Sequence, residues 1–468
     1  MTATAGGEPD DLDVEAFLRW LDERIDTLHA HLADGADPWL QAELAQALLE
    51  RYESAERSAD AGLADLHEIL QLGAAVAGLG DGGPGAVMLA PVGGAHYYLF
   101  GATGAPSHLD GAIEHLSRLV GSEPLDPAHL PVALALGEAL LARHELAEGG
   151  SRPDLDAVAA VLIRARQQPA AEPGFRAEAG ELLGLVLAET SGLLPSTSPD
   201  LPALSWRALR LLEEARAGGD DAVAAAGLAE VIAELHRRRY WMDPDGPAAA
   251  AELSAAIEEF GVAAEAGVGG FAVLFQLGDA LDDRWARTGD ASDRDGAIEW
   301  LTRAARRSDG ADWAMAECGQ LLGVLLLDRA RDGSGRADLD AAIGHLAAAR
   351  DALAPGDPTR ARAMRALADA YRLRGGGQLR PRETVEIAAA LRELVVHWPF
   401  DPAGPHRGHG RAGSGDPAGR GGAAGLAARA RRGGPAPHRG AWRDDGGRGD
   451  ARPPDRGPRH GAQPALLR

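Results

Sequence analysis

The stretch APVGGAHYYLFGATG, Ala90 to Gly104, carries the residue types of a ligand loop: paired glycines, a proline, a histidine and two adjacent tyrosines. Glycines let a backbone approach a phosphate closely, and tyrosines can stack on a base. Just upstream, Gly78, Gly80 and Gly83 spell G-x-G-x-x-G, which cradles a pyrophosphate when it joins a strand to a helix. Here it follows a helical pattern with no strand before it, so a dinucleotide site is not expected. Cys318 is the sole cysteine, which excludes an internal disulfide and a zinc site of several thiolates. It lies on a helical apolar stripe in AECGQLLG, the setting of a structural thiol rather than a nucleophile. His29 and His31 are two apart on a helix, so they face different ways and make no metal pair. HExxH and GxSxG are absent, and all 47 basic residues are arginine, which removes P-loop and Schiff-base lysines. No catalytic, cofactor-binding or metal residue is assigned, no cofactor is expected, and the chain does not read as an enzyme.

What must position such residues follows from composition. The 468 residues are 45% hydrophobic but only 4% aromatic, so the core is built from Leu, Ala and Val, which favours packed helices over sheets. The acidic start, MTATAGGEPDDLD, lacks the basic-then-apolar order of a signal peptide. Gly, Pro and charges interrupt every long apolar run, so a cytoplasmic protein without a membrane span is expected. Charge is divided unevenly: residues 401–468 hold thirteen Arg and six Asp, which leaves −30 of the total −23 on residues 1–400. Such an acidic body does not attract nucleic acid through its own field.

A repeated phrase organises the body. DLDAAIGHL from Asp338 returns as HLDGAIEHL from His108, ELSAAIEEF from Glu252 and DRDGAIEWL from Asp293, and in looser form from Gly62, Asp154, Ala203 and Glu383. The second residues of these phrases stand at 63, 109, 155, 204, 253, 294, 339 and 384, a period of about 46 residues. Apolar or small residues fall on one helical stripe of the phrase, as in Ile113 and Leu116, Ile257 and Phe260, Ile298 and Leu301, and Ile343 and Leu346. The Asp or Ser near each start reads as an N-cap. Before each phrase lies a second helix of the form Leu-Gly-x-x-Leu, with Gly93, Gly137, Gly184, Gly278 and Gly323, or Ala368 in the same place. Glycine inside a helix costs roughly 1 kcal/mol relative to alanine, so a recurring small residue predicts close approach of a neighbouring helix there. Shifted by 185 residues, the stretch around Ala90–Gly104 lies on LFQLGDALDDRWARTG. It therefore reads as the first helix of a hairpin, begun or kinked at Pro91 and stopped by Thr-Gly, with the tyrosines as packing residues.

These residues resemble the tetratricopeptide repeat, with Leu-Gly-x-x-Tyr/Leu on a first helix and Ala-x-x-x-Phe/Leu on a second. Ala256 with Phe260, Ala297 with Leu301, Ala342 with Leu346, and Leu367, Ala368 and Tyr371 carry the match. The period departs from that family's 34 residues, because the linkers are longer. The run ADLDAAIGHLAAARDALAPGDPTRARAMRALADAYRLR looks like the stretched repeats that precede a caspase-like domain in actinobacterial CHAT-domain proteins. The resemblance implies an all-α, right-handed solenoid of about eight hairpins over residues 38–398, with an N-terminal helix over 11–37 packed on it and a disordered stretch over 1–10. It implies a groove that holds a protein or peptide, and a regulatory role beside a caspase-like effector domain absent here.

Arg237, Arg238, Arg239, Tyr240 and Trp241 form a candidate protein-binding hot spot, since Arg, Tyr and Trp dominate such anchors. The structural alternative is a basic helix end favoured by the macrodipole, with Trp241 packed inward. Residues 399–468 are rich in Gly, Arg, Pro and Ala and read as a disordered tail, either an RNA-binding segment or out-of-frame translation of GC-rich DNA. Without a following repeat, the helix over 384–398 predicts a sticky edge prone to self-association. Three functions stay open: a non-catalytic protein-binding scaffold, RNA binding through the tail, and an enzyme with an unrecognised site in the groove.

Overall fold

A computed structural model describes residues 14–397, apart from 55–58, 80–82, 122–124, 148–149, 196, 219–221, 308–309, 311 and 376–379. The tail and the N-terminal stretch therefore lie outside the described residues. Among the described residues there are seventeen α-helices and no strand. Helix α1 (Val14–Ala33) precedes eight hairpins: α2 (Pro38–Ser54) with α3 (Ala59–Val76), α4 (Pro84–Thr103) with α5 (Pro106–Val120), α6 (Leu130–Leu146) with α7 (Arg152–Arg166), and α8 (Pro173–Leu193) with α9 (Leu201–Gly218). The series continues with α10 (Ala222–Met242) and α11 (Ala249–Glu265), α12 (Gly270–Thr288) and α13 (Ala291–Ala305), α14 (Asp312–Arg329) and α15 (Arg336–Ala352), and α16 (Pro358–Arg374) and α17 (Pro381–His397). The chain is an all-α solenoid. Of α17, the side chains of residues 386, 390, 391 and 393–397 lie outside the described residues, so the edge expected over 384–398 is described only in part: Val385 is exposed and Ile387 buried.

Each hairpin closes on the small residue of its first helix. A Cβ placed on Gly93 would sit 2.5 Å from Leu116 Cδ2, on Gly184 2.7 Å from Leu212 Cδ2, and on Gly278 and Gly323 2.6 Å from Cγ of Leu301 and Leu346. Gly137 is looser, with its nearest neighbour, Leu182 Cδ2, at 3.2 Å. Ala45, Ala233 and Ala368 occupy this place elsewhere and are buried. The apolar stripe of the second helix supplies the other wall: Leu109, Ile113 and Leu116, then Leu253, Ile257 and Phe260, are buried, while Ile343 is only partly so.

The acid that starts five of the eight phrases is not an N-cap. Asp154, Glu252, Asp293, Asp338 and Glu383 lie in the first turn of their helices, each bonded to an arginine six residues beyond the small residue of the preceding helix. Arg284 Nε and Nη2 donate to the two oxygens of Asp293 at 2.9 and 2.6 Å, and Arg329 does the same to Asp338 at 2.7 and 2.9 Å. Arg143 clasps Asp154, Arg239 clasps Glu252 and Arg374 bonds Glu383. In the first hairpin Arg51 clasps Asp65, one turn later. Capping aspartates are instead Asp37, Asp290 and Asp357, just outside α2, α13 and α16. The second and fourth hairpins have Leu99 and Thr190 in the arginine position and His108 and Ala203 in the acid position. Arginine and acid are thus present or absent together, because either alone would leave a desolvated charge.

The Ala90–Gly104 stretch is helical to Thr103, as its alignment with Phe275–Gly289 requires. Of the two roles expected of Pro91, that of a helix start is ruled out: α4 begins at Pro84, in the first turn where a missing N–H costs nothing, and runs through a buried Pro91. Gly104, in the left-handed region at φ 68°, ends it, as Gly289 at φ 72° ends α12. First helices of adjacent hairpins pack on one another (α2 on α4, α4 on α6, α6 on α8, α8 on α10, α14 on α16), and no pair of second helices packs comparably. Second helices are bridged instead by long side chains, Arg216 to Glu259 and Arg164 to the Val120 carbonyl. This unequal spacing bends the stack with the first helices on its inner face.

Candidate functional site on the inner face

The RRRYW segment closes α10 and fans out in three directions. Arg237, buried, ion-pairs with Asp279 at 2.5 Å and with Asp283, both on α12. Its guanidinium lies 5.0 Å from the Trp241 ring centre and 5.5 Å from that of Tyr240. Arg238 reaches back to α8, donating to Ser191 Oγ at 2.5 Å and the Ala188 carbonyl at 3.2 Å. Arg239 bonds Glu252 and stacks 4.5 Å over Trp206 of α9. Burial opposes ionisation of Glu252, but hydrogen bonds from Arg239 and His236 hold its carboxyl below the usual range. Tyr240, not Trp241, is the ring turned inward; Trp241 is 40% exposed and Trp206 59%. The segment is a junction between three hairpins, with its arginines engaged inside the fold.

A second constellation, not singled out from sequence, lies on the neighbouring first helices. Glu145 of α6, Glu189 of α8 and Glu230 and Glu234 of α10 act on one another electrostatically, with His144 and Arg238 beside them. Burial, followed by Glu230 and Glu189 and opposed by Arg238, pushes the Glu234 carboxyl up to about 8. Glu145 is exposed as a residue, yet desolvation of its carboxyl and the nearby Glu189 push it up to about 7, with His144 opposing. Glu189 Oε1 is 3.7 Å from His144 Nε2, while its buried Oε2 has no hydrogen-bond partner. Three successive first helices thus bring together carboxyls that are ionised only in part near pH 7, and a cation bound beside them would favour their ionised form. Further along the same face, Tyr97 bonds Glu138 of α6, and Tyr98 bonds Glu53 of α2 at 2.9 Å. The tyrosines of the apparent ligand loop therefore tie one hairpin to its two neighbours.

The other candidates take plain positions. Gly78 lies in the short 3-10 turn Ala77–Leu79, Gly83 precedes α4, and Gly80 is outside the described residues. His29 bonds Glu68 of α3. No group of three or more His, Cys, Asp or Glu side chains among the described residues is arranged to hold a metal ion. No helix among them is long and apolar enough to cross a membrane. Cys318 is fully buried, its Sγ 3.6 Å from the Leu301 carbonyl, and burial pushes its thiol up to about 12. Thiol titration with a disulfide reagent at pH 8 is accordingly expected to find no fast-reacting thiol in the native chain and one after denaturation. A fast native reaction would contradict the packing.

No family profile matches the chain, and no curated protein sequence matches it. Among solved structures, similarity is found to a human IFIT1 dimer with m7Gppp-AAAA, at 14% identity and a TM-score of 0.26, over 83% of this chain and 75% of that one. A human IFIT1 dimer with PPP-AAAA gives 15% identity and a TM-score of 0.27 over 83% and 73%. Superpositions this loose add nothing to the fold read from the helices themselves.

Proposed function

We propose that the chain is a non-catalytic scaffold whose inner face binds a basic peptide or protein segment. The carboxyls of Glu145, Glu189 and Glu234 gathered on three successive first helices support this most directly, with Glu189 Oε2 buried and accepting no hydrogen bond. The net charge of −30 on residues 1–400 steers a cationic partner toward it. Resemblance of the repeats to those of CHAT-domain proteins adds the reading that the partner is linked to a caspase-like effector, this chain being the sensing half. The two other reading frames of the DNA beyond codon 400 bear on that point: a further Leu-Gly helix or a caspase-like domain in either would support it, and neither frame continuing would overturn it.

Binding has a defined pH dependence. A cationic side chain favours the ionised carboxyls, whose population rises through about 7 for Glu145 and about 8 for Glu234. Affinity for an Arg-rich peptide is therefore expected to rise from pH 6 to pH 8.5, with proton release on binding. Glu234→Gln is expected to flatten that dependence. Calorimetric titration of the full chain in two buffers of different ionisation heat measures both. Binding that weakens as pH rises, or none above an acidic control protein, would sink the proposal.

A further inference from the structure

Six hairpins close with an arginine on a carboxylate; the second closes with imidazoles. His108 stands where five of the others have the acid, and its Nδ1 lies 3.0 Å from Nδ1 of His96 on α4. The two ring centres are 5.3 Å apart. His115, one further along the same face of α5, lies 5.8 Å from His96 with its ring within 28° of parallel, and its own Nδ1 bonds the Gly111 carbonyl at 2.8 Å. Gly111 makes room for this arrangement, since a Cβ there would fall 2.8 Å from His96 Nε2. A hydrogen bond between two Nδ1 atoms needs one bearing a proton and one bare, so it exists only while at least one ring is neutral.

The chain contains its own comparison. His236 of α10 holds the same position as His96, three residues after the small residue, but it faces Glu252, at 2.7 Å. Protonation strengthens that pair. In the second hairpin the same proton meets a histidine instead. Elsewhere this position is Leu48, Leu140, Leu187, Leu281, Leu326 or Tyr371.

We propose that His96, His108 and His115 form an acid-sensitive latch: uptake of a second proton by the His96–His108 pair breaks their bond, places like charges at the α4–α5 seam and opens the second hairpin. Burial, followed by the two neighbouring imidazoles, lowers the His96 ring from 6.5 to about 4. The folded hairpin therefore binds fewer protons than the open one between those limits. Its closure is intact above pH 6.5 and is lost as pH falls toward 4. Of the carboxylates on the elements packed against α4, Glu114 of α5 is exposed to solvent, Glu43 and Glu50 of α2 accept from Arg24 and Gln46, and Glu145 of α6 lies beside His144 and Glu189. Glu138 of α6 and Glu53 of α2 accept from Tyr97 and Tyr98, Asp65 and Glu68 of α3 meet Arg51 and His29, and Asp110 of α5 lies 3.6 Å from Arg143. The turn Ala77–Leu79 carries no titratable side chain. Because Tyr97 and Tyr98 anchor α4 to both neighbouring hairpins, release of the latch also loosens α2 and α6 from it.

Hydrogen exchange of the full chain at pH 7.5 and pH 5, corrected for intrinsic rates, tests this. Amides of α4 and α5 are expected to lose protection at pH 5 by roughly tenfold relative to those of α12–α15, whose Arg–Asp clasps hold. His108→Asp supplies the carboxylate of the other hairpins and is expected to keep α4–α5 protected at pH 5. His96→Leu, the residue of five other hairpins, is expected to do the same should the aspartate variant fail to fold. Full protection of α4–α5 at pH 5 in the unaltered chain, or equal loss in the unaltered chain and a folded variant, would overturn the latch.

Discussion

Replacing Arg237 with methionine is expected to cost about 3–5 kcal/mol at pH 7, the range for removing one partner of a buried ion pair. Arg237, Asp279 and Asp283 have side chains 6%, 14% and 11% exposed, so the two carboxylates left behind have little water to turn to. Methionine keeps much of the apolar contact with Tyr240 and Trp241, which confines the loss to charge. The deficit is expected to shrink toward pH 4, where protonation relieves the abandoned acids. Adding Asp279→Leu and Asp283→Leu is expected to recover most of the stability, because an apolar replacement of the whole group removes the desolvation cost. Hydrogen exchange along α10 and α12 at pH 7 measures this locally, which suits an array that need not unfold in one step. A loss below about 1 kcal/mol in the single variant would mean that the junction is far wetter than it stands.

The second large effect concerns the helix crossings. Gly278→Val would force a Cβ to within 2.6 Å of Leu301 Cγ and 3.4 Å of the Ala297 carbonyl. Overpacking of this kind costs typically about 1–3 kcal/mol, and the β-branch against the preceding turn adds to it. A loss of about 3 kcal/mol is expected. Leu301→Ala alone is expected to lose about 2–5 kcal/mol, yet the double variant should be much less damaged than the two losses added, since each relieves the other. Gly261 and Gly344 are internal controls: both are helical, and a Cβ at either meets nothing within 4 Å. Alanine at those sites is expected to stabilise by up to about 1 kcal/mol. If alanine at Gly344 destabilised as valine at Gly278 does, the small residues would matter for backbone reasons and not for helix approach.

The repeat was legible in the sequence because its physics is local. Periodic apolar stripes and a small residue at one point of each first helix are visible without knowing what they touch. That visibility stops at the interfaces between hairpins. The Arg–acid clasp could have been found as a covariation within the chain, since arginine follows the small residue by six positions only in hairpins that also carry the acid. The N-cap reading hid it, because an acid near a helix start satisfies both patterns. The destinations of Arg237 and Arg238 were not legible: a run of three arginines at a helix end looks alike whether it faces solvent or spans three hairpins. The Glu145, Glu189, Glu230 and Glu234 group was invisible for a related reason. Its members come from three helices and gather only when the first helices stack, and in an acidic chain no single glutamate stands out.

The most direct test of the stacked array is small-angle X-ray scattering from the chain ended after His397. Eight hairpins spaced by about 10 Å per helix layer predict an asymmetric distance distribution reaching about 80 Å. A symmetric, bell-shaped distribution with a radius of gyration near 22 Å, about the value for a compact globule of this length, would contradict it.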